Sequence, residues 1–221
     1  MNCEAVIFDC DGVLIDSEPI AVAILRQDLA VLGVTMREDE VHHRFTGWST
    51  TQIAEAMVAE FGVPVPADWV PSHNARVREA VAGSVEPIAG VTAVLDGLDA
   101  AGIPWGVASQ SGMLYLELGL GRVGIWQRAL GRVASSQLVA RPKPAPDVYL
   151  MAMGLVGARP GSVVVIEDSP TGVRAGVAAG ARVIGYAADR RPEQLLDAGA
   201  AATIAAMPSL LGMLGVRPPA A

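Results

Sequence analysis

The stretch Ala5-Val6-Ile7-Phe8-Asp9-Cys10-Asp11 sets four apolar residues against two carboxylates spaced two positions apart. An uninterrupted apolar run of this length predicts a parallel strand buried on both faces, delivering Asp9 at its carboxyl end. In an extended strand end, residues i and i+2 point the same way, so Asp9 and Asp11 would share a pocket while Cys10 turns aside.

Further along, similar runs recur. Trp105-Gly106-Val107-Ala108 runs into Ser109, Val163-Val164-Val165-Ile166 runs into Glu167-Asp168, and Arg182-Val183-Ile184-Gly185 follows a helix of small residues. Helical patterns at about residues 91–100, 112–119, 146–153 and 171–179 alternate with these strands, the signature of an α/β fold with a doubly wound, Rossmann-like parallel sheet. The segment 17–83 breaks the alternation. Ile20, Ile24, Leu25, Leu29 and Leu32 form one helical stripe ending at Gly33, and Ile53, Met57, Val58 and Phe61 form another ending at Gly62. Ser49 with Gln52 three residues on reads as a capping box. The expected organisation is therefore an α/β core from residues 1–16 and 84–221, with a small all-helical domain, 17–83, inserted after the first strand. The tail from Arg217 is expected to be unstructured.

With 221 residues, 52 % hydrophobic and 18 % charged, the chain can bury a substantial core. No apolar run is long enough for a membrane span and no secretory signal is visible, so a cytoplasmic protein without membrane contact is expected. Cys3 and Cys10 read as reduced, buried residues of the first strand segment, too far apart there to bridge. A net charge of −7 with no basic run argues against nucleic acid as a partner. A small molecule is the expected partner, and a monomer or weak homodimer the expected state.

Open α/β sheets place ligands outside the carboxyl ends of their strands, and here those ends carry the polar residues of an otherwise apolar chain. Asp168, preceded by Glu167, would bring further carboxylates to Asp9 and Asp11. At about 4 Å and an effective dielectric near 20, each like-charge pair repels by roughly 4 kcal/mol, so the cluster calls for a cation. Oxygen ligands without a nearby His or Cys favour Mg2+ over zinc. Lys143, framed by Pro142 and Pro144, supplies a fixed positive charge. Ser109 and the N–H groups of Gln110-Ser111-Gly112, at a helix start, form a phosphate cradle. Each feature alone has a plainer reading: a lone Asp-x-Asp is usually a solvated turn, and a lone Ser a helix cap. Gly172, Gly176 and Gly180 read as close helix–sheet packing, His42, His43 and His73 lack metal-ligand spacing, and Arg76 and Arg78 read as solvated helix-face charges.

Four segments carry a resemblance. Phe8-Asp9-Cys10-Asp11-Gly12-Val13-Leu14, Val107-Ala108-Ser109, Lys143-Pro144-Ala145-Pro146-Asp147 and Ile166-Glu167-Asp168-Ser169-Pro170 resemble, in order and spacing, the four motifs of the haloacid dehalogenase superfamily in its phosphatase and phosphomutase branch. The resemblance implies a phosphatase acting on a small sugar, sugar-acid or polyol phosphate. Asp9 would be its nucleophile and Asp11 its general acid and base. It further implies Mg2+ held by the Asp9 carboxylate, the Asp11 carbonyl and Asp168, with Glu167 acting at one remove, while Ser109, Gln110 and Lys143 grip the phosphoryl group. The helical insertion would be a mobile cap that excludes water, with Thr46, Gly47 and Trp48 in its specificity loop. A β-phosphoglucomutase-like isomerase is the nearest alternative. That relative carries a His and basic residues at the places that correspond here to Ala21, Thr46 and Thr50. A metal-free dehalogenase and a non-enzymatic phospho-receiver fit less well, because both lack a role for Asp11.

Overall fold

The computed structural model describes residues 3–188 and 191–216, so the tail expected to be unstructured from Arg217 lies outside the described residues. The chain divides into two units, one comprising Met1–Asp16 with Glu86–Ala221 and the other Ser17–Val85.

The first unit is built on a parallel sheet of six strands, β1 (Ala5–Phe8), β2 (Trp105–Ser109), β3 (Val133–Ser135), β4 (Val163–Glu167), β5 (Arg182–Tyr186) and β6 (Ala202–Ile204), in the order β3-β2-β1-β4-β5-β6. The doubly wound α/β expectation holds. Phe8 pairs with Val107 on one side and Ile166 on the other, so β1 is the strand from which the chain winds outward in both directions. That reversal opens a crevice at the carboxyl ends of β1, β2 and β4, where doubly wound sheets bind ligands. Every residue of β1 and β4 is buried, as the continuous apolar runs require of strands covered on both faces. Strands β3 and β6, with three residues each, are too short to show a periodicity and escape a sequence reading. The two cysteines are free and flank β1 instead of lying within it. Cys10 is buried as expected, but Cys3 is only half-buried, because it precedes the strand.

The second unit is all helical: α1 (Glu18–Val31), α2 (Glu38–Phe45), α3 (Thr50–Phe61) and α4 (Trp69–Ser84). Val22, Leu25, Leu29, Val41, Phe45, Ile53 and Met57 pack into a core of its own. Helix α3 opens with the Ser49–Gln52 capping box and closes at Gly62, whose φ of 65° is the left-handed cap that a glycine adopts without a Cβ clash. Arg76 is exposed, as expected of a helix-face charge, and its guanidinium reaches Asp28, a buried carboxylate that also meets His73 Nδ1 at 2.6 Å. His73 in turn stacks on Trp69, ring centroids 5.2 Å apart.

After this insertion the chain returns to the first unit, whose sheet is flanked by α5 (Val91–Ala100), α6 (Met113–Arg122), α7 (Trp126–Ala129), α8 (Asp147–Leu155), α9 (Pro170–Ala178), α10 (Pro192–Asp197) and α11 (Ser209–Leu214). Helix α9 starts where Ser169 accepts the N–H of Gly172 and Pro170 occupies the first turn, both ordinary start signals. Among the described residues, no helix is long and apolar enough to cross a membrane.

Candidate active site

The site begins where β1 ends. The Asp9 N–H donates to the Ile166 carbonyl at 2.9 Å, continuing the β1–β4 ladder by one residue. The chain then turns tightly: the Cys10 carbonyl accepts the N–H groups of Val13, Leu14 and Ile15. Gly12 is needed in this turn. Its φ is +76°, and a Cβ there would stand 2.6 Å from Asp168 Oδ2, so its bareness lets the β1 and β4 loops approach. Asp11 therefore opens this turn, bridged to Ile15 across it, instead of continuing β1 as a strand end. Its carboxylate accepts hydrogen bonds from Ser111 Oγ at 2.8 Å and from the Tyr115 hydroxyl at 2.5 Å.

Lys143 organises the interior of the site. Its Nζ donates to Asp9 Oδ1 at 2.5 Å and to Glu167 Oε1 at 2.7 Å, and lies 3.1 Å from the Ala108 carbonyl and 3.0 Å from the Tyr149 hydroxyl. The side chain is almost wholly buried, and burial works against its charge. Asp9 and Glu167 outweigh that cost and hold the lysine well above its usual pKa.

Glu167 is fully engaged. Oε1 accepts from Lys143 and from the Tyr149 hydroxyl at 2.8 Å, and Oε2 accepts from both the N–H and the hydroxyl of Ser169 at 2.9 Å. Those bonds use the whole acceptor capacity of a carboxylate. Against the cost of burial, Lys143 and these donors bring its pKa below the ordinary value. The carboxylate is seated on Gly172, where a Cβ would come within 1.6 Å of Oε1. Gly172 thus lets α9 close on Glu167, the last residue of β4, as Gly176 lets it close on Val183 and Val165, the helix–sheet packing expected of both; Gly180 lies beyond the helix and faces Pro160.

Asp9 is left short of positive charge. Burial raises its pKa well above the usual carboxyl value, and Lys143, which pulls the other way, is outdone once Glu167, Asp168 and Asp11 add their repulsion. One carboxylate oxygen each from Asp9, Glu167 and Asp168 lies within 4.8 Å of the others. Three carboxylates against one lysine, with oxygen as the only donor type, is a set that fits a hard divalent cation.

Ser109 is buried at the end of β2, and its Oγ accepts the Ser111 N–H at 3.0 Å. The next loop is held by Ser135 Oγ, donating to the Ser111 carbonyl at 2.7 Å, and by Ser136 Oγ, donating to the Gln110 carbonyl at 2.6 Å. The side chain of Gln110 itself is exposed. Of the cradle anticipated, the Ser111 N–H is thus already engaged, and one residue beyond Gly112 the Met113 N–H donates to Gln137 Oε1 at 3.1 Å.

The remaining candidates, Thr46, Gly47 and Trp48, lie in the helical unit. They line a cavity of about 210 Å³ within it, together with Glu18, Ala21, Thr50, His73 and Asn74 among others. Thr46 Oγ1 donates to Glu18 Oε1 at 2.7 Å, Gly47 has a φ of +82°, and Trp48 meets the Phe45 ring edge-on. Ser111, Tyr115 and Tyr149 hold site carboxylates by side-chain hydrogen bonds that the sequence reading missed. Tyr149, at the buried face of the helix that follows the lysine motif, left a signal in the periodicity. Tyr115 left none, since its partner Asp11 is 104 residues away.

A doubly wound sheet with clustered carboxylates and a buried lysine at its switch point defines a hydrolase of the α/β class with a carboxylate-based active site. The sequence profile described as haloacid dehalogenase-like hydrolase matches residues 6–186, and the chain belongs to that family. It is 29 % identical over 184 residues to Hexitol phosphatase A of Escherichia coli, covering 83 % of either chain. It is 28 % identical over 189 residues to the 6-phosphogluconate phosphatase of the same organism, covering 84 % of this chain and 83 % of that one. Among solved structures, an HAD family hydrolase from Deinococcus radiodurans with bound phosphate and sodium superimposes with a TM-score of 0.85 at 31 % identity, covering 99 % of each chain.

Proposed function

We propose that the protein is a magnesium-dependent phosphatase that hydrolyses a small hydroxylated phosphomonoester through a phosphoenzyme formed on Asp9. The observation that carries this reading is the placement of Asp9, buried at the end of β1, against Lys143 and two further carboxylates. The Asp9 carboxylate attacks phosphorus in line, forming an acyl phosphate as the bond to the leaving oxygen breaks. Asp11 gives that oxygen a proton, then takes one from the water that releases inorganic phosphate. Lys143 and Ser109, with the backbone of Gln110, hold the phosphoryl oxygens, and Glu167 keeps Lys143 in place.

The cation would be held by the carboxylates of Asp9 and Asp168 and the carbonyl of Asp11. Glu167, its oxygens already occupied, would act at one remove. When bound, the ion neutralises the charge of the transferring group.

The similarity to a hexitol phosphatase supports a neutral sugar or polyol as the organic part of the substrate, and the similarity to a 6-phosphogluconate phosphatase places a sugar-acid phosphate in the set to be compared. Phosphate release should be assayed with Mg2+ across hexitol 6-phosphates, glycerol phosphate, 6-phosphogluconate and a sugar bisphosphate. Hexitol and glycerol phosphates are expected to lead by at least about tenfold in kcat/KM. An Asp9→Asn protein that still released phosphate at the wild-type rate would overturn the nucleophile assignment.

A further inference from the structure

We infer that Tyr115 is a positioning residue for the general acid, fixing the Asp11 carboxylate in the plane from which it serves the leaving oxygen; this rests on the phosphatase reading above. Two hydrogen bonds support it. The phenol O–H to Asp11 Oδ1 distance is 2.5 Å, in the range of charge-assisted hydrogen bonds to a carboxylate. Ser111 Oγ donates to the other oxygen, Oδ2, at 2.8 Å. One donor on each oxygen defines the plane of the group, because each bond fixes the direction of a different lone pair.

Both donors are themselves anchored. Ser111 is fixed through its N–H to Ser109 Oγ and through its carbonyl by Ser135 Oγ. The start of the helix that carries Tyr115 is held by Gln137, which accepts the Met113 N–H and packs so closely on Gly112 that a Cβ there would lie 2.7 Å from its amide nitrogen. A tyrosine on a clamped first turn is a rigid support for a side chain that must meet its substrate within a fraction of an ångström.

A general acid matters in proportion to how poorly the leaving group departs unaided, which separates positioning from general structural damage. Wild type, Tyr115→Phe and Ser111→Ala should be compared on p-nitrophenyl phosphate, phenyl phosphate and glucitol 6-phosphate. With Tyr115→Phe, kcat/KM for glucitol 6-phosphate, which reports formation of the phosphoenzyme and not its hydrolysis with Asp11 as base, is expected to fall by about tenfold, part of the range that acid–base catalysis contributes. The loss should be smaller for phenyl phosphate and under about twofold for p-nitrophenyl phosphate, whose leaving group needs no proton. Ser111→Ala should show the same ordering. Equal losses in kcat/KM on all three substrates, or no loss at all, would overturn the positioning role. If wild type releases phosphate from none of them, the phosphatase reading falls first and this role with it.

Discussion

The ammonium of Lys143 stands 2.5 Å from Asp9 Oδ1, with both side chains withdrawn from solvent. Residues 134 positions apart thus form one buried ion pair, and Glu167 shares the same lysine at 2.7 Å. Removing the cation from such a group leaves uncompensated buried carboxylates, which costs about 3–5 kcal/mol. Lys143→Met should therefore unfold at markedly lower urea concentration than wild type and lose at least about a hundredfold in kcat, as the loss of a transition-state contact does. Adding Glu167→Gln should recover part of the stability and none of the activity. Urea titration and phosphate release on the same preparations check both halves.

The surplus of carboxylates over lysines predicts a stabilising metal. Mg2+ should raise the melting temperature in a concentration-dependent way, since a ligand that binds only the folded state stabilises it by mass action. EDTA should abolish turnover reversibly. In Asp168→Asn the Mg2+ concentration for half-maximal effect should rise by at least about tenfold, by loss of a charged ligand. A melting curve indifferent to Mg2+ would contradict the cation assignment even if activity could not be measured.

Two glycine substitutions should separate helix propensity from site geometry. Gly154 lies in α8, and a Cβ added there would meet nothing within 4 Å, so Gly154→Ala should stabilise by about 0.5–1 kcal/mol and leave activity unchanged. Gly172→Ala, in α9, would put its methyl 1.6 Å from Glu167 Oε1. It should destabilise the protein and lower kcat, because Glu167 must move and Lys143 with it. Chemical denaturation and initial rates on both variants test the contrast.

Asp99 supports the strand that carries Ser109. Its Oδ1 accepts the Trp105 indole N–H at 2.8 Å, and Trp105 is fully buried. Asp99→Ala leaves that N–H without its partner and should cost about 1–3 kcal/mol, whereas Asp99→Asn keeps an acceptor and should cost less. Burial opposes ionisation of Asp99, but hydrogen bonds from Arg128 and Trp105 outweigh it and hold the pKa below the ordinary 3.8. A depressed folded pKa means that the folded state binds fewer protons than the unfolded one. The contribution is thus fully present above pH 3.8 and is lost as pH falls through the folded value. Acid unfolding curves should be shallower in that window for Asp99→Asn than for wild type.

Much of this molecule is determined by local sequence. Apolar runs such as Ala5–Phe8 and Val163–Ile166 can be satisfied only between two layers of helix, and the Ser49–Gln52 box and Gly62 fix the ends of α3 through their own backbone chemistry. The family motifs likewise named Asp9, Asp11, Ser109, Lys143, Glu167 and Asp168 as candidates, because each sits at the end of a strand or in a short loop that follows one. Only the tertiary structure decided how these groups share their charges. It gave Glu167 wholly to Lys143, Tyr149 and Ser169, turned the Asp11 carboxylate to Ser111 and Tyr115, and set Gly172 beneath Glu167. Those partners are brought together by the order of strands in the sheet, and a hydrogen bond between residues a hundred positions apart leaves no trace in the spacing of either.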